Sequence, residues 1–410
     1  MDFTTFELSN GLRVIHRQTV GEVGHCGIII NAGSRDEREG QQGLAHFIEH
    51  CIFKGTTKRK TFHILSRLDS VGGEINAYTT KEETWVYASF LERHLSRAIE
   101  LVADICFNST FPEKEIAKEK DVIVDEINSY LDSPGEMILD DFEDQLFEGH
   151  PIGRNILGTV DSVHGLSRDD IFDFVERRYR SDQMVLSSSG PTSPERLKRI
   201  CERYLSQIPR TTSGDVRVPF QGYVPRRVEL DKETFQVHYI TGNVAYHAAH
   251  AKKTGLVLLN NLLGGPAMNS RLNLQIRERY GIAYNIESGY QPYSDTGVFH
   301  IYLGTDERMF GRAERLVQAE LKKMREQKLG VSQLHMAKQQ LIGQIALGQE
   351  SGSGTMIALG KSYMLYNRVD TLEEVYKAIE AVTAEDMLEI ANEVFDPAQM
   401  STLIYRPKKG

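Results

Sequence analysis

Three residues, His46, Glu49 and His50, have the types and spacing that point most directly to chemistry. They stand in Gly43-Leu44-Ala45-His46-Phe47-Ile48-Glu49-His50-Cys51. At about 100° per residue, positions 46, 49 and 50 share a narrow arc of one helix face, while Leu44, Phe47, Ile48 and Ile52 take the rest. Two imidazoles and a carboxylate on a buried helix suit Zn²⁺, which accepts neutral imidazole nitrogens and needs an open position and a nearby base to activate water. A third ligand is required, and carboxylate is a usual choice. The segment Glu119-Lys120-Asp121-Val122-Ile123-Val124-Asp125-Glu126 offers two, seven residues apart and so on one face of a helix. Cys51 adjoins His50 but points about 100° further round, which excludes it as a ligand.

These residues need elements to position them. A hairpin over 6–18 turns at Ser9-Asn10-Gly11, and 26–30 reads as a short buried strand. The His-x-x-Glu-His helix follows, then a helix over 62–71 closed by Gly72-Gly73. Strands are expected at 74–80 and 84–90 and a helix at 91–106. Pro112 opens a long helix to about Tyr130 that carries Glu119 and Glu126. Helical signal resumes over 138–147, where Asp140, Asp141, Glu143, Asp144 and Glu148 read as a solvated face.

The chain also repeats itself. Leu166-Ser167-Arg168-Asp169-Asp170-Ile171 matches Val382-Thr383-Ala384-Glu385-Asp386-Met387, and at the same offset of 216 Gln183-Met184 meets Gln399-Met400. Each stretch reads as a capped helix, a connection and an exiting strand. A tandem duplication of an α/β unit is expected, with domains at 1–212 and 227–410 and a linker at 213–226 punctuated by Pro219, Gly222 and Pro225. With no gaps, His46, Glu49 and His50 fall on Leu262, Gly265 and Pro266, and Glu126 on Ile342, so the second copy lacks the metal residues.

The 410 residues include 48 Lys and Arg against 57 Asp and Glu, a formal charge of -9 that argues against nucleic acid as a partner. No apolar run approaches the roughly 18 residues of a membrane span, and no leader pattern opens the chain, so a cytoplasmic location is expected. Cys26, Cys51, Cys106 and Cys201 are scattered and read as reduced thiols.

The order His-x-x-Glu-His, then a Glu on a later helix with another Glu seven before it, resembles the inverted zinc motif of the pitrilysin-type (M16) metallopeptidases. The two-halved chain is similar to the bacterial M16B subfamily related to the mitochondrial processing peptidase β-subunit. The resemblance runs nearly end to end and includes Phe53-Lys54-Gly55-Thr56, Gly72-Gly73-Glu74-Ile75-Asn76-Ala77, Leu263-Gly264-Gly265, Ser270-Arg271-Leu272, and Arg277 to Tyr284. It implies an α+β fold of M16/LuxS-like metallohydrolase type, with two homologous domains, each a mostly antiparallel sheet with helices on one side. It implies that His46, His50 and Glu126 bind one Zn²⁺ per subunit, that Glu49 is the general base, and that Glu119 orients ligands from outside them. Asn76 and Ala77 would lie on a sheet edge that pairs with extended substrate, and Arg277 and Tyr284 would reach the bound peptide and its developing oxyanion. The implied protein is a zinc endopeptidase acting on peptides or unfolded segments inside the chamber of a homodimer. The competing reading is a peptide-binding or assembly subunit of the same fold without turnover.

Two further patterns carry no function. Gly354 to Ser362 imitates a phosphate loop, but five apolar, helix-like residues separate glycines where four are needed. His247 and His250 have helical spacing and no acidic partner following them. The run 348–354 reads as a flexible break between helices.

Overall fold

A computed structural model of the chain describes residues 3–212 and 214–408. Its strands are β1 (Phe3–Glu7), β2 (Arg13–Gln18), β3 (Val23–Ile30), β4 (Glu74–Thr79), β5 (Thr84–Leu91), β6 (Met184–Gly190), β7 (Arg227–Lys232), β8 (Val237–Val244), β9 (Asn285–Pro292), β10 (Gly297–Thr305) and β11 (Ser401–Pro407). They form two sheets, ordered β1-β2-β6-β3-β5-β4 and β7-β11-β8-β10-β9. The pairs β2–β6 and β7–β11 are parallel and the others antiparallel. Without β1, the first order maps strand for strand onto the second, as the internal repeat anticipates. The capped helices of that repeat are also present: Ser167 and Thr383 each exchange hydrogen bonds with an aspartate three residues on, Asp170 and Asp386.

The count between halves is not constant, however. It runs from 211 between the starts of β4 and β9 (74 and 285) to 217 between β6 and β11 (184 and 401). The gap-free correspondence of His46 with Leu262 therefore does not hold. The conclusion drawn from it survives, because the helix Lys253–Gly264 that follows β8 contains no His, Cys, Asp or Glu in any register.

The first sheet is buried on both faces, and its sequence shows it. On one face Val14, Cys26, Ile28, Ile30, Val86, Ala88 and Leu186 pack with helices that include Leu44–Cys51, Thr61–Asp69 and Leu95–Phe107. On the other, Ile15, Ile29, Trp85 and Val185 meet Met356 and Leu359 of the helix Gly352–Tyr366. A strand covered twice reads as a continuous apolar run, hence Ile28-Ile29-Ile30. The expectation of helices on one side only is corrected: each sheet also carries a helix on its other face. For the second sheet that cover is Pro134–Leu146, whose Ile138 and Phe142 pack with Ile240, Tyr302, Leu403 and Tyr405.

Both covering helices come from the opposite half of the chain. The compact units are therefore discontinuous: residues up to Ile127, Arg154–Arg217 and Ala346–Thr371 form one, and Asn128–Gly153, Val218–Ile345 and the chain from Leu372 form the other. Contiguous boundaries at 212 and 227 miss this exchange. The segment expected as a linker is irregular but anchored. Arg217 pairs with Asp36 at 2.7 Å in the first unit, and the Tyr223 hydroxyl donates to the Gln399 carbonyl at 2.6 Å in the second. The acids of 134–146 are not a plain solvated face either. Asp140, Asp141 and Glu143 accept from the hydroxyls of Tyr130, Tyr405 and Tyr293, while Asp144 and Glu148 are exposed.

Gly360 permits the close seating of helix Gly352–Tyr366 on the first sheet. A Cβ there would collide with the Trp85 ring and lie 2.9 Å from Ser187 Cβ. Gly360→Ala gains about 1 kcal/mol of helix propensity, but overpacking costs about 1–3 kcal/mol. Urea denaturation is expected to show net destabilisation; a raised midpoint would show that the Trp85 contact yields.

Candidate metal centre

The helix Leu44–Cys51 begins at Gly43, whose φ of 90° is left-handed and whose missing Cβ leaves room for the Leu157 carbonyl, which would otherwise stand 2.6 Å away. Leu44, Ala45, Phe47, Ile48 and Cys51 bury the apolar side in the first core. His46 and His50 project together from the other side, ring centroids 4.6 Å apart and edge to face. The helix Glu113–Leu131 buries Ile116, Ile123 and Ile127, which turns Glu119 and Glu126 toward the histidines.

Glu126 Oε2 lies 3.8 Å from His46 Nε2 and 3.6 Å from His50 Nε2. Among the described residues, His46, His50 and Glu126 make the one group of three metal-ligating side chains whose donor atoms all fall within 4.8 Å of one another. Tetrahedral Zn²⁺ with bonds of about 2.0–2.2 Å separates its ligands by roughly 3.3–3.6 Å. The two spacings to Glu126, 3.6 and 3.8 Å, lie at and just beyond that range, and two nitrogens with one oxygen would leave a fourth position for water.

The surroundings fix the chemistry of each group. His50 Nδ1 stands 3.0 Å from Glu119 Oε1, and Lys54 Nζ stands 2.7 Å from Glu119 Oε2. An ionised carboxylate only accepts, so His50 donates from Nδ1, and in the neutral ring its Nε2 lone pair faces Glu126. Burial works against charge on Glu119, but His50 and Lys54 outweigh it and hold the carboxyl below the usual range. Burial likewise opposes a charged His50, and Glu119, Glu49 and Glu126 overcome it, raising the imidazole. His46 goes the other way: burial, then the neighbouring His50, lowers it to about 4, which keeps the ring uncharged at neutral pH, the form a metal accepts. Its Nδ1 is buried without a hydrogen-bond partner. Burial raises Glu49, opposed in part by Thr79 on β4 and by His50.

β4 is the outermost strand of the first sheet and pairs only with β5 among the described residues. Asn76 is exposed and Ala77 half-buried at its middle, beside the motif helix. Arg277 and Tyr284 belong to the second unit. Arg277 lies in a π-helical turn, Asn273–Glu278, and Tyr284, 88% exposed, immediately precedes β9. His247 and His250 lie in turns ahead of a helix rather than on one, and His250 stacks on Tyr246 at 4.2 Å. The 354–362 segment is helical, as its apolar residues indicate.

Comparison with known proteins gives the family and the fold. The family profile described as insulinase, peptidase family M16, matches residues 13–160, and that described as the peptidase M16 inactive domain matches 165–341. A Bacillus subtilis protein named an uncharacterized zinc protease, YmxG, is 31% identical over 392 residues, 95% of each chain. The chain belongs to peptidase family M16. A Rickettsia bellii member, also named an uncharacterized zinc protease, is 31% identical over 98% of this chain and 97% of its own. The fold recurs in a Helicobacter pylori protease at TM-score 0.92 and 21% identity, covering 99% of both chains. A putative M16-like peptidase from Alicyclobacillus acidocaldarius gives 0.89 at 18% identity, covering 99% and 98%.

Reading the M16 motif in sequence passes over Lys54, which stands four residues after His50. A cation one turn beyond the second histidine of the motif was the available signal, though only the folded position of Glu119 shows what it neutralises. Glu119→Ala is expected to weaken Zn²⁺ binding about 10–100-fold, and Lys54→Met to do so by less. Competition with a chromogenic chelator measures both; unchanged affinity in Glu119→Ala would remove its orienting role.

Proposed function

We propose that this M16 protein is a zinc-dependent endopeptidase that hydrolyses peptides or unfolded segments. The observation that carries the reading is the convergence of His46, His50 and Glu126 beside Glu49 and the unpaired edge of β4. These three residues would hold one Zn²⁺, which when bound supplies a Lewis acid that acidifies water and polarises a carbonyl. Glu49 takes a proton from the attacking water and passes it to the leaving amine. Glu119 holds His50 in the tautomer that leaves Nε2 free.

An extended peptide adds to β4 at Asn76 and Ala77 through its backbone, so the protein reads extension more than side chains. Arg277 and Tyr284 of a second copy hold the scissile carbonyl and the oxyanion that develops on it. Because one chain carries both the motif and this pair, two copies make a symmetric homodimer with two sites around a chamber. A cytoplasmic setting belongs to the same reading: all four cysteines are free and buried, and among the described residues no helix is long and apolar enough to cross a membrane.

Glu49→Gln is expected to keep zinc while cleavage of quenched peptides falls about 10²–10⁴-fold, and chelation should abolish wild-type turnover until zinc is returned. Zinc bound equally by both proteins, with no wild-type cleavage across a diverse peptide library, would favour a peptide-binding subunit instead. The shared site has its own test. Mixing Glu49→Gln with Arg277→Ala should restore partial activity, and no recovery under subunit exchange would overturn it.

A further inference from the structure

The first turn of the motif helix has an unusual cap. Helices begin with N–H groups that lack intrahelical partners, and the residue preceding the first turn commonly supplies an acceptor from its side chain. Here that residue is Gly43, which has none. Both oxygens of Glu37 do the work from six residues upstream: Oε2 accepts from the Gly43 N–H at 3.1 Å and Oε1 from the Ala45 N–H at 2.8 Å. Glu37 is 4% exposed, and a carboxyl so placed is costly unless its oxygens are used. Burial pushes it up to about 8, with the Ala45 and Gly43 N–H groups pulling the other way. The two N–H groups use one oxygen each, the pattern an ionised carboxylate accepts.

The segment carrying Glu37 is itself held against the turn that follows β4. Ser34 N–H donates to the Thr80 carbonyl at 3.1 Å and Arg35 N–H to the Lys81 carbonyl at 2.8 Å. Gly33 allows this approach, since a Cβ there would strike the Thr80 carbonyl. Next to Glu37, the fully buried Asp36 carboxylate takes Arg217 at 2.7 Å and the Gly33 N–H at 3.0 Å. The two metal-facing histidines differ in what holds them. His50 has Glu119, whereas His46 has no side-chain anchor and takes its place from the backbone one residue after Ala45.

We propose that Glu37 is a positioning residue of the metal centre: by clamping the Gly43 and Ala45 N–H groups it sets where His46 and Glu49 stand relative to the β4 edge. The proposal rests on the zinc reading of that site. It makes Glu37 the counterpart of Glu119, acting on His46 through backbone rather than through the ring.

Gln at 37 keeps the shape but has one acceptor, so one of the two N–H groups loses its partner; Ala loses both. Zinc affinity, measured by chelator competition, is expected to fall about tenfold in Glu37→Gln and further in Glu37→Ala, within the range of an outer ligand support. The visible spectrum of the Co²⁺-substituted protein should change, and kcat should fall with KM nearly constant. A folded Glu37→Gln with a lower melting temperature but wild-type zinc affinity and Co²⁺ spectrum would overturn the proposal. Hydrogen exchange on the wild type covers the case in which neither variant folds. Gly43 and Ala45 amides protected like that of Phe47 support the clamp, and free exchange overturns it. A wild type that binds no zinc would defeat the functional reading, while the exchange result would still judge the clamp.

Discussion

Two imidazoles and a carboxylate are held with their donor atoms within 4.8 Å of one another, and the first unit is organised around that convergence. His46 Nε2 and His50 Nε2 lie 3.8 and 3.6 Å from Glu126 Oε2, and burying such polar groups is costly unless they serve one another. Two helices carry the group, each with its apolar face sunk in the same core. The supports differ at the two histidines. At His50 the chain Lys54–Glu119–His50 fixes a ring tautomer through side chains. At His46 the anchoring is in the helix backbone, where Gly43 and Ala45 meet a buried carboxyl.

That core depends on a sheet whose other face is also dry. Trp85 and Ile29 need a cover, and the chain supplies it from far downstream, with the helix Gly352–Tyr366. The second sheet borrows Pro134–Leu146 in the same way. Neither half of the chain therefore buries its sheet with its own residues alone. A truncated first half would expose Trp85 and its neighbours, so the sheet beneath the histidine-bearing helix depends on residues more than 200 positions away.

Much was legible because it is local. The His-x-x-Glu-His helix follows from a period of 3.6 residues, and the seven-residue step from Glu119 to Glu126 follows from the same period. The paired capping boxes at Ser167 and Thr383 exposed the duplication, because a cap is a short-range hydrogen bond written in three or four residues. What failed was long-range. Contiguous domain boundaries ignored the exchanged helices, the gap-free offset ignored insertions between strands, and the acids of Pro134–Leu146 looked solvated because their tyrosine partners include Tyr293 and Tyr405, far away in sequence.

By itself, the sequence determined the candidate metal-binding residue types, the helix faces that bear them and the repeat of the sheet topology, since all three are set by spacing along one element or by similarity between two. Only the tertiary structure decided that Lys54 neutralises Glu119, that Glu37 caps a helix whose own first residue cannot, and that each sheet is closed by the other half's helix. Those contacts join residues unrelated in periodicity. They arise from burial, which brings a polar atom to whichever partner the packing leaves beside it.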